Sequence, residues 1–322
     1  LGVVSEDDLI ARWFAPIAGQ GSLGLKDDAA CLVPPAGQDL VITKDALVAG
    51  VHFFADDPPA AIARKALRVN VSDLAAKGAE PAGFLLALAL PPDVSTDWLQ
   101  AFAASLGEDA QRWSIPLLGG DTVKTPGPLM VSITAFGFVP HGRIIARTGV
   151  RAGDAIFVSG TIGDAALGLQ LRLTPQRFSK ISEAARIYLG ARYLEPSPRL
   201  SLTSHLRAYA HGGMDVSDGL IGDVTKMLRA SAVTAAIDLD CVPLSAAARE
   251  VIAQDASFFE TAVTGGDDYE LLISVPEAQA PQFAAEVPHV TRIGTAKAGI
   301  DAPVFHHAGR VVSFKRGSFS HF

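Results

Sequence analysis

Apolar residues recur at helical spacing near the start of the chain. Leu9, Ile10, Trp13, Phe14 and Ile17 follow the capping residue Ser5 and predict an amphipathic helix over 6–18. A glycine-rich turn comes next, and the short apolar stretches 29–33 and 40–43, separated by Pro34, Pro35 and Gly37, fit a hairpin. Pro58 and Pro59 open a helix that carries Ile62, Ala66, Val69 and Leu74 inward, and Gly78 marks its end. The continuous apolar run 84–90 suits a buried strand. A helix over 96–113, a short strand ending at Gly119-Gly120-Asp121 and a longer strand over 129–139 complete a lobe of alternating helices and strands.

The turn chemistry of Pro140, Gly142, Gly149 and Gly153 marks a junction, giving expected domains of 1–140 and 150–322. The second domain opens with a strand over 155–159. Helices are expected near 164–173, 199–209, 220–230 and 246–252, and strands near 214–216, 235–239, 269–275 and 290–293. Both lobes mix helix and strand, so the expected fold class is α/β in the broad α+β sense. The tripeptide Val-Ser-Asp occurs at 71–73 and at 216–218, a faint hint of an old duplication.

Composition narrows the function classes. At 322 residues and 49% hydrophobic, the chain can bury one or two sizeable cores, and its length suggests two domains with a cleft between lobes. Its formal charge of −7, with basic residues scattered, lacks the footprint of a nucleic-acid binder. The run 84–90 is far too short to span a bilayer and the N-terminus has no signal-like pattern, so a soluble cytoplasmic protein is expected. The sequence opens at Leu1 without a methionine, from which a missing or removed short leader is expected. Cys31 and Cys241 lack metal-site spacing and are expected to be buried small hydrophobes.

The chemistry resides in aspartates placed beside glycines at strand ends and helix starts: Asp27-Asp28, Asp45, Asp73, Asp121, Asp215, Asp218 and Asp267-Asp268. Any one alone reads as a cap or turn former. Asp73 resists that reading, because it falls inside a predicted helix between Asn70 and Lys77, among Val69, Val71, Leu74 and Ala75. Several carboxylates meeting in one place need cations, and an all-oxygen donor set selects magnesium over zinc. Gly19-Gln20-Gly21-Ser22-Leu23-Gly24 matches GxGxxG but follows a helix and precedes a strand, the reverse of a dinucleotide site, and reads as a turn. No GxxxxGK[ST] loop occurs, so nucleotide phosphates would be held by metals, basic side chains and amides. Ser217-Asp218-Gly219 and Gly160-Thr161-Ile162-Gly163 are the candidate amide donors.

Six segments in order carry a resemblance. They are Lys26-Asp27-Asp28-Ala29-Ala30, the run from Thr43-Lys44-Asp45 to His52-Phe53, the run from Val69-Asn70-Val71-Ser72-Asp73 to Gly78-Ala79, Gly119-Gly120-Asp121-Thr122, Met214-Asp215-Val216-Ser217-Asp218-Gly219-Leu220, and Gly265-Gly266-Asp267-Asp268-Tyr269-Glu270-Leu271. Almost end to end, the chain resembles the thiamine-monophosphate kinases, a family in the superfamily of aminoimidazole ribonucleotide synthetase. The resemblance implies a homodimer whose N-terminal lobes bind ATP at their interface, and magnesium-dependent transfer of the γ-phosphate to thiamine monophosphate. It implies magnesium ligands at Asp28, Asp45, Asp73, Asp121 and Asp215, with Thr43 and Lys44 assisting, Lys44 through its backbone carbonyl, and a further ion at Asp218. Gly120, Asp121, Arg147 and Ser217 would touch ATP. Asp45, Asp121 and Arg147 would carry the catalysis, and His52, Asp267 and an aromatic at Phe314 or Phe319 would face the thiamine.

The chain departs from the family pattern at Lys26, Lys44, Asp267 and the terminal Gly317-Ser318-Phe319-Ser320-His321-Phe322. Two lysines beside acidic residues suggest fixed ammonium charge in place of part of the metal complement. Alternative readings are an ATP-dependent synthetase of the same superfamily, which would release inorganic phosphate, and a catalytically silent nucleotide-binding regulator.

Overall fold

The computed structural model describes residues 5–314 together with Gly317 and Ser318. The chain divides into two compact units, one comprising the residues up to Leu74 with Ala79–Gly142 and the other Ala75–Gly78 with the residues from Arg143 onward.

In the first unit, α1 (Glu6–Leu9), α2 (Pro59–Ala76) and α3 (Thr96–Arg112) accompany β1 (Gln38–Val48), β2 (Glu80–Leu90), β3 (Leu117–Lys124) and β4 (Met130–Pro140). The strands form a sheet in the order β1-β4-β2-β3, with only β2 and β3 parallel. Ser95 caps α3 by accepting the Trp98 N–H at 3.1 Å. Leu67, Leu74, Phe84, Leu99, Phe102 and Leu106 are fully buried and make the core. Arg68 on α2 clamps Asp109 on α3 in two-pronged fashion, at 2.6 and 3.1 Å. Such a pair, nearly sealed from water, fixes how the two helices lie against each other.

Two expectations for this unit fail. The helix over 6–18 shrinks to α1, followed by a π turn at Ile10–Phe14 and a 3-10 turn at Ala15–Ile17, because Pro16 has no N–H to continue an α ladder. The hairpin does not form either. Residues 29–33 make no strand and are mostly exposed, while β1 pairs antiparallel with β4 from Gln38↔Pro140 to Val48↔Met130. The distant partner covers eleven β1 positions, with alternate ones shielded from solvent and Val41 and Leu47 buried, which the short local partner could not do. The GxGxxG segment forms a turn with Gly21 and Gly24 at φ 95 and 71, as its reversed context implied.

The second unit holds β5 (Ala155–Ser159), α4 (Asp164–Leu173), α5 (Glu183–Leu194), α6 (Thr203–Tyr209), β6 (Gly212–Val216), α7 (Leu220–Ala230), β7 (Val233–Asp238), α8 (Ala246–Gln254), α9 (Phe258–Thr264), β8 (Glu270–Val275), α10 (Ala280–Glu286), β9 (Val290–Ala298), β10 (Val304–His307) and β11 (Arg310–Val312). Its sheet runs β11-β10-β7-β9-β5-β8-β6. The strands β5, β6 and β8 are buried along their whole length, as expected where both faces of a sheet are covered. Helices α5, α9 and α10 and the strands β10 and β11 are additions to the sequence reading. The repeated Val-Ser-Asp marks no repeated structure, since Val71, Ser72 and Asp73 lie inside α2 whereas Val216, Ser217 and Asp218 span the end of β6 and the turn after it.

Candidate active site

Strand alternation sorts the acidic motif of the first unit onto two faces. On β1, Thr43 and Asp45 face α2: the Thr43 hydroxyl donates to the Asp73 carboxylate, and the Asp45 N–H donates to Asn70 Oδ1 at 3.1 Å. Asp73 thus has a side-chain partner from the sheet, which offsets the cost of a carboxylate inside a mostly buried helix. Lys44, between Thr43 and Asp45, points to the other face, where a cavity of about 740 Å³ is also lined by Asp27, Asp28, Gly119, Gly120, Asp121, Ser132 and Thr134.

This cavity changes character along the strands. Leu40, Phe136, Leu117 and Leu118 line one part, and Lys44, Ser132, Asp121 and Thr122 line another. On β1 the step from Leu40 to Lys44 covers roughly 13 Å at the usual rise per residue. The pairing of β2 with β3 shifts between Phe84 and Leu85, an irregularity of the bulge type at Leu118. At Gly120 a Cβ would stand 1.9 Å from the Leu86 carbonyl oxygen, so only glycine lets β3 pass that close before Asp121. After β1 the chain turns so that the Val48 N–H donates to His52 Nδ1 at 3.0 Å. An accepting Nδ1 leaves the ring proton of a neutral His52 on Nε2.

The second unit gathers its own set. The segments 216–219 and 265–270 interlock, with the Asp267 N–H donating to the Ser217 carbonyl at 2.8 Å and the Tyr269 N–H to the Val216 carbonyl at 2.9 Å. Asp267 and Tyr269 both have left-handed φ, 73 and 52, which costs of order 1–3 kcal/mol each and persists only under firm anchoring. The anchors are their buried neighbours. Asp268 accepts the Gly163 N–H at 2.7 Å at the start of α4, and Glu270 accepts from Arg199 Nε at 2.6 Å, from Arg192 at 3.3 Å and from the Ser159 hydroxyl at 2.6 Å. Burial pushes the Asp268 carboxyl well above the usual carboxylate range, against the pull of the Gly163 amide.

The amide donors expected to cradle phosphate are engaged inside the chain. Ser217 and Asp218 N–H groups donate to Asp223 Oδ2 at 3.0 and 2.9 Å, and the turn before α4 is closed by Asp268. A helix start attracts an anion, and here carboxyl oxygens of the chain itself already take those N–H groups. Asp218 pairs with Lys226, which also reaches Asp223 at 3.0 Å. Burial raises the Asp223 carboxyl, with Lys226 opposing. Burial also disfavours the Lys226 ammonium, but its two carboxylates outweigh that and leave its pKa raised. Asp215 is 5% exposed on β6. Arg147 is exposed in a 3-10 turn that packs beside β6 and α7.

Of the expected site residues, then, Asp28, Lys44, Gly120 and Asp121 line one cavity, Thr43 and Asp73 meet on the opposite face of the same sheet, to which alternation also assigns Asp45, and Asp215, Ser217, Asp218 and Asp267 cluster in the second unit. Among the described residues no three acidic, histidine or cysteine groups converge as a ready-made ion cage. Phe319 lies outside the described residues, and Phe314 packs edge-on to Phe305 with ring centres 6.3 Å apart. Lys226, Asp223 and the Arg192–Arg199–Glu270 group were missed by sequence reasoning. The spacing of Asp218, Asp223 and Lys226 on a helix start was the one available signal for the first two. The cysteines correct an expectation, as both are exposed: Cys31 lies in the strandless segment, and Cys241 ends the turn after β7 with its thiol 3.5 Å from Asp238.

This pattern of two mixed units is that of the AIR synthase related proteins: the N-terminal domain model of that family matches residues 26–139 and the C-terminal domain model residues 151–303. The chain is 42% identical over 301 residues to the thiamine-monophosphate kinase of Caulobacter vibrioides, covering 92% of this chain and 82% of the relative. Identity to the Escherichia coli K12 thiamine-monophosphate kinase is 41% over 325 residues, covering 98% of each. The crystal structure of thiamine-monophosphate kinase from Stenotrophomonas maltophilia K279a superposes with a TM-score of 0.79 at 40% identity, over 89% of this chain and 90% of that one. AaThiL complexed with AMPPCP and TMP gives 0.79 at 31% identity, over 92% and 91%. The chain belongs to the thiamine-monophosphate kinase family.

Proposed function

We propose that this chain transfers the γ-phosphate of ATP to thiamine monophosphate, giving thiamine diphosphate, by direct in-line displacement with magnesium. The observation that carries the reading is the graded cavity of the first unit, in a chain whose relatives are thiamine-monophosphate kinases. Its apolar part suits a nucleobase, and its acidic part, with Asp28 and Asp121, suits a metal-bound polyphosphate. The first unit is accordingly the ATP and magnesium domain.

The donor set fits magnesium. Asp28 and Asp121 line the cavity with no cysteine or histidine among its lining, and magnesium held by few carboxylates completes its shell with water and phosphate oxygens. When bound it neutralises phosphate charge and holds the reacting groups in line. Asp45 and Asp73, with Thr43, are the further oxygen donors of the unit, and Asp215 and Asp218 those of the second unit. The acceptor is a phosphate monoester, already largely ionised near neutral pH with a second pKa of about 6, so no side chain needs to act as general base. What the protein supplies is alignment and charge. Arg147 and Ser217 contact the nucleotide, and His52, Asp267 and Phe314 or Phe319 receive the thiamine.

The chain works as a homodimer in the cytoplasm. Ile42, 59% exposed on the β1 face and outside the cavity lining, offers apolar surface for a second copy. No described helix is long and apolar enough to cross a membrane.

Incubation of the purified protein with ATP, magnesium and thiamine monophosphate, followed by phosphorus NMR, tests the reading. Diphosphate resonances growing as thiamine monophosphate disappears, with inversion at a chiral γ-phosphorus, are expected. Release of inorganic phosphate alone would point to a synthetase, and no turnover to a silent nucleotide binder.

A further inference from the structure

Sheet register places one lysine where the cavity has a use for it. Ala46, Ser132, Ala87 and Asp121 stand opposite one another across all four strands, so a single row on the cavity face ends at the Asp121 carboxylate. At about 4.8 Å between neighbouring strands, Ser132 and Asp121 are roughly 10 Å apart along that row. Lys44 lies one row away, opposite Thr134, and its Nζ donates to the Ser132 hydroxyl at 2.8 Å. That hydroxyl donates onward to the Asp45 carbonyl at 3.1 Å, so its own proton is already committed.

An ammonium has three N–H donors, and Ser132 takes one of them. Among the described residues Lys44 forms no ion pair with a carboxylate, unlike Lys226 with Asp218 and Asp223. Its charge is held in position by a neutral group and directed into a cavity whose other charged lining residues are Asp27, Asp28 and Asp121. A cation so placed neutralises no described carboxylate by an ion pair and is complementary to an anion entering from outside.

We infer that Lys44 is a phosphate-binding residue, its ammonium taking an oxygen of the nucleotide polyphosphate over the middle of the sheet, with Ser132 fixing its position. This rests on the kinase reading above. It assigns to the Lys44 side chain a direct contact that holds without metal, complementary to the carboxylates, which act only through one.

The test compares wild type with Lys44→Met, which keeps the stem and loses the charge, and Lys44→Arg, which keeps the charge. Binding of the β,γ-methylene analogue of ATP and of adenosine is measured calorimetrically, with magnesium and with excess EDTA, after thermal melts confirm folding. In EDTA the analogue is expected to bind wild type measurably and Lys44→Met at least tenfold more weakly, with Lys44→Arg largely restored and adenosine unaffected. Equal analogue affinities in wild type and Lys44→Met, absence of binding to wild type in EDTA, or an equal loss for adenosine would overturn the assignment. Failure of wild type to bind the analogue even with magnesium would instead remove the kinase reading, and this contact with it.

Discussion

The two units use the same residue type in opposite ways. In the first, Asp27, Asp28 and Asp121 face an open cavity, whereas in the second Asp223, Asp268 and Glu270 are buried and turned inward, onto helix-start amides, a lysine and two arginines. The first group stays open to the cavity. The second holds a strained loop that presents Asp267 and Tyr269. An acidic residue beside glycine in a sequence therefore does not by itself announce a ligand, and what separates the two cases is whether the chain itself supplies the countercharge.

That distinction can be broken experimentally, beginning where the effect is largest. Asp121→Asn is expected to lower turnover by about 10²–10³-fold, the scale seen when one charge-stabilising group is lost, while leaving the denaturation midpoint essentially unchanged. Steady-state kinetics beside urea melts check it, and a variant that unfolds easily would move Asp121 into the structural group. Glu270→Gln should do the reverse. Leaving Arg192 and Arg199 without their buried anion is expected to cost about 3–5 kcal/mol of stability, read from urea titration. A Glu270→Gln protein as stable as wild type would show that the loop is held by other means.

The smallest expected effect concerns pH. The Asp268 carboxyl, raised by burial, keeps its proton in the folded chain where the unfolded chain releases it. Between the unfolded and folded pKa values the native state binds more protons, so this group's contribution to stability falls as pH rises through that window and is fully present only below it. Asp268→Asn retains an oxygen for the Gly163 amide and removes the titration. Wild type should therefore lose stability relative to Asp268→Asn as pH rises above the ordinary carboxylate range in parallel denaturation curves. An unchanged difference would mean that Asp268 stays ionised in the fold.

Much of the scaffold was legible because its cues are local. Helices α2, α3, α4 and α7 follow apolar spacing bounded by Pro59, Ser95, Gly163 and Gly219, and β5 is a short apolar run between turn residues. The failures share a cause. Pro34, Pro35 and Gly37 gave good local reasons for a hairpin, but the partner of β1 lies about ninety residues further on, and nothing in the local pattern names it. Cysteine exposure was missed because residue type and spacing alone set the expectation, and neither shows that Cys31 falls in a segment without a strand or Cys241 at the end of a surface turn. In the site, composition indicated oxygen chemistry. It could not show that Asp223 and Asp268 occupy the amides that seemed open for phosphate, since that depends on which side chains fold back.

Alternation along β1 sets Thr43 and Asp45 on one side of the sheet and Lys44 on the other. The segment therefore obeys a parity rule: removing or adding a single residue upstream within the strand would carry the ammonium towards Asn70 and Asp73 and turn a carboxylate into the cavity. Drift in the length of this stretch is tolerable only in steps of two, whatever the substitutions that accompany it.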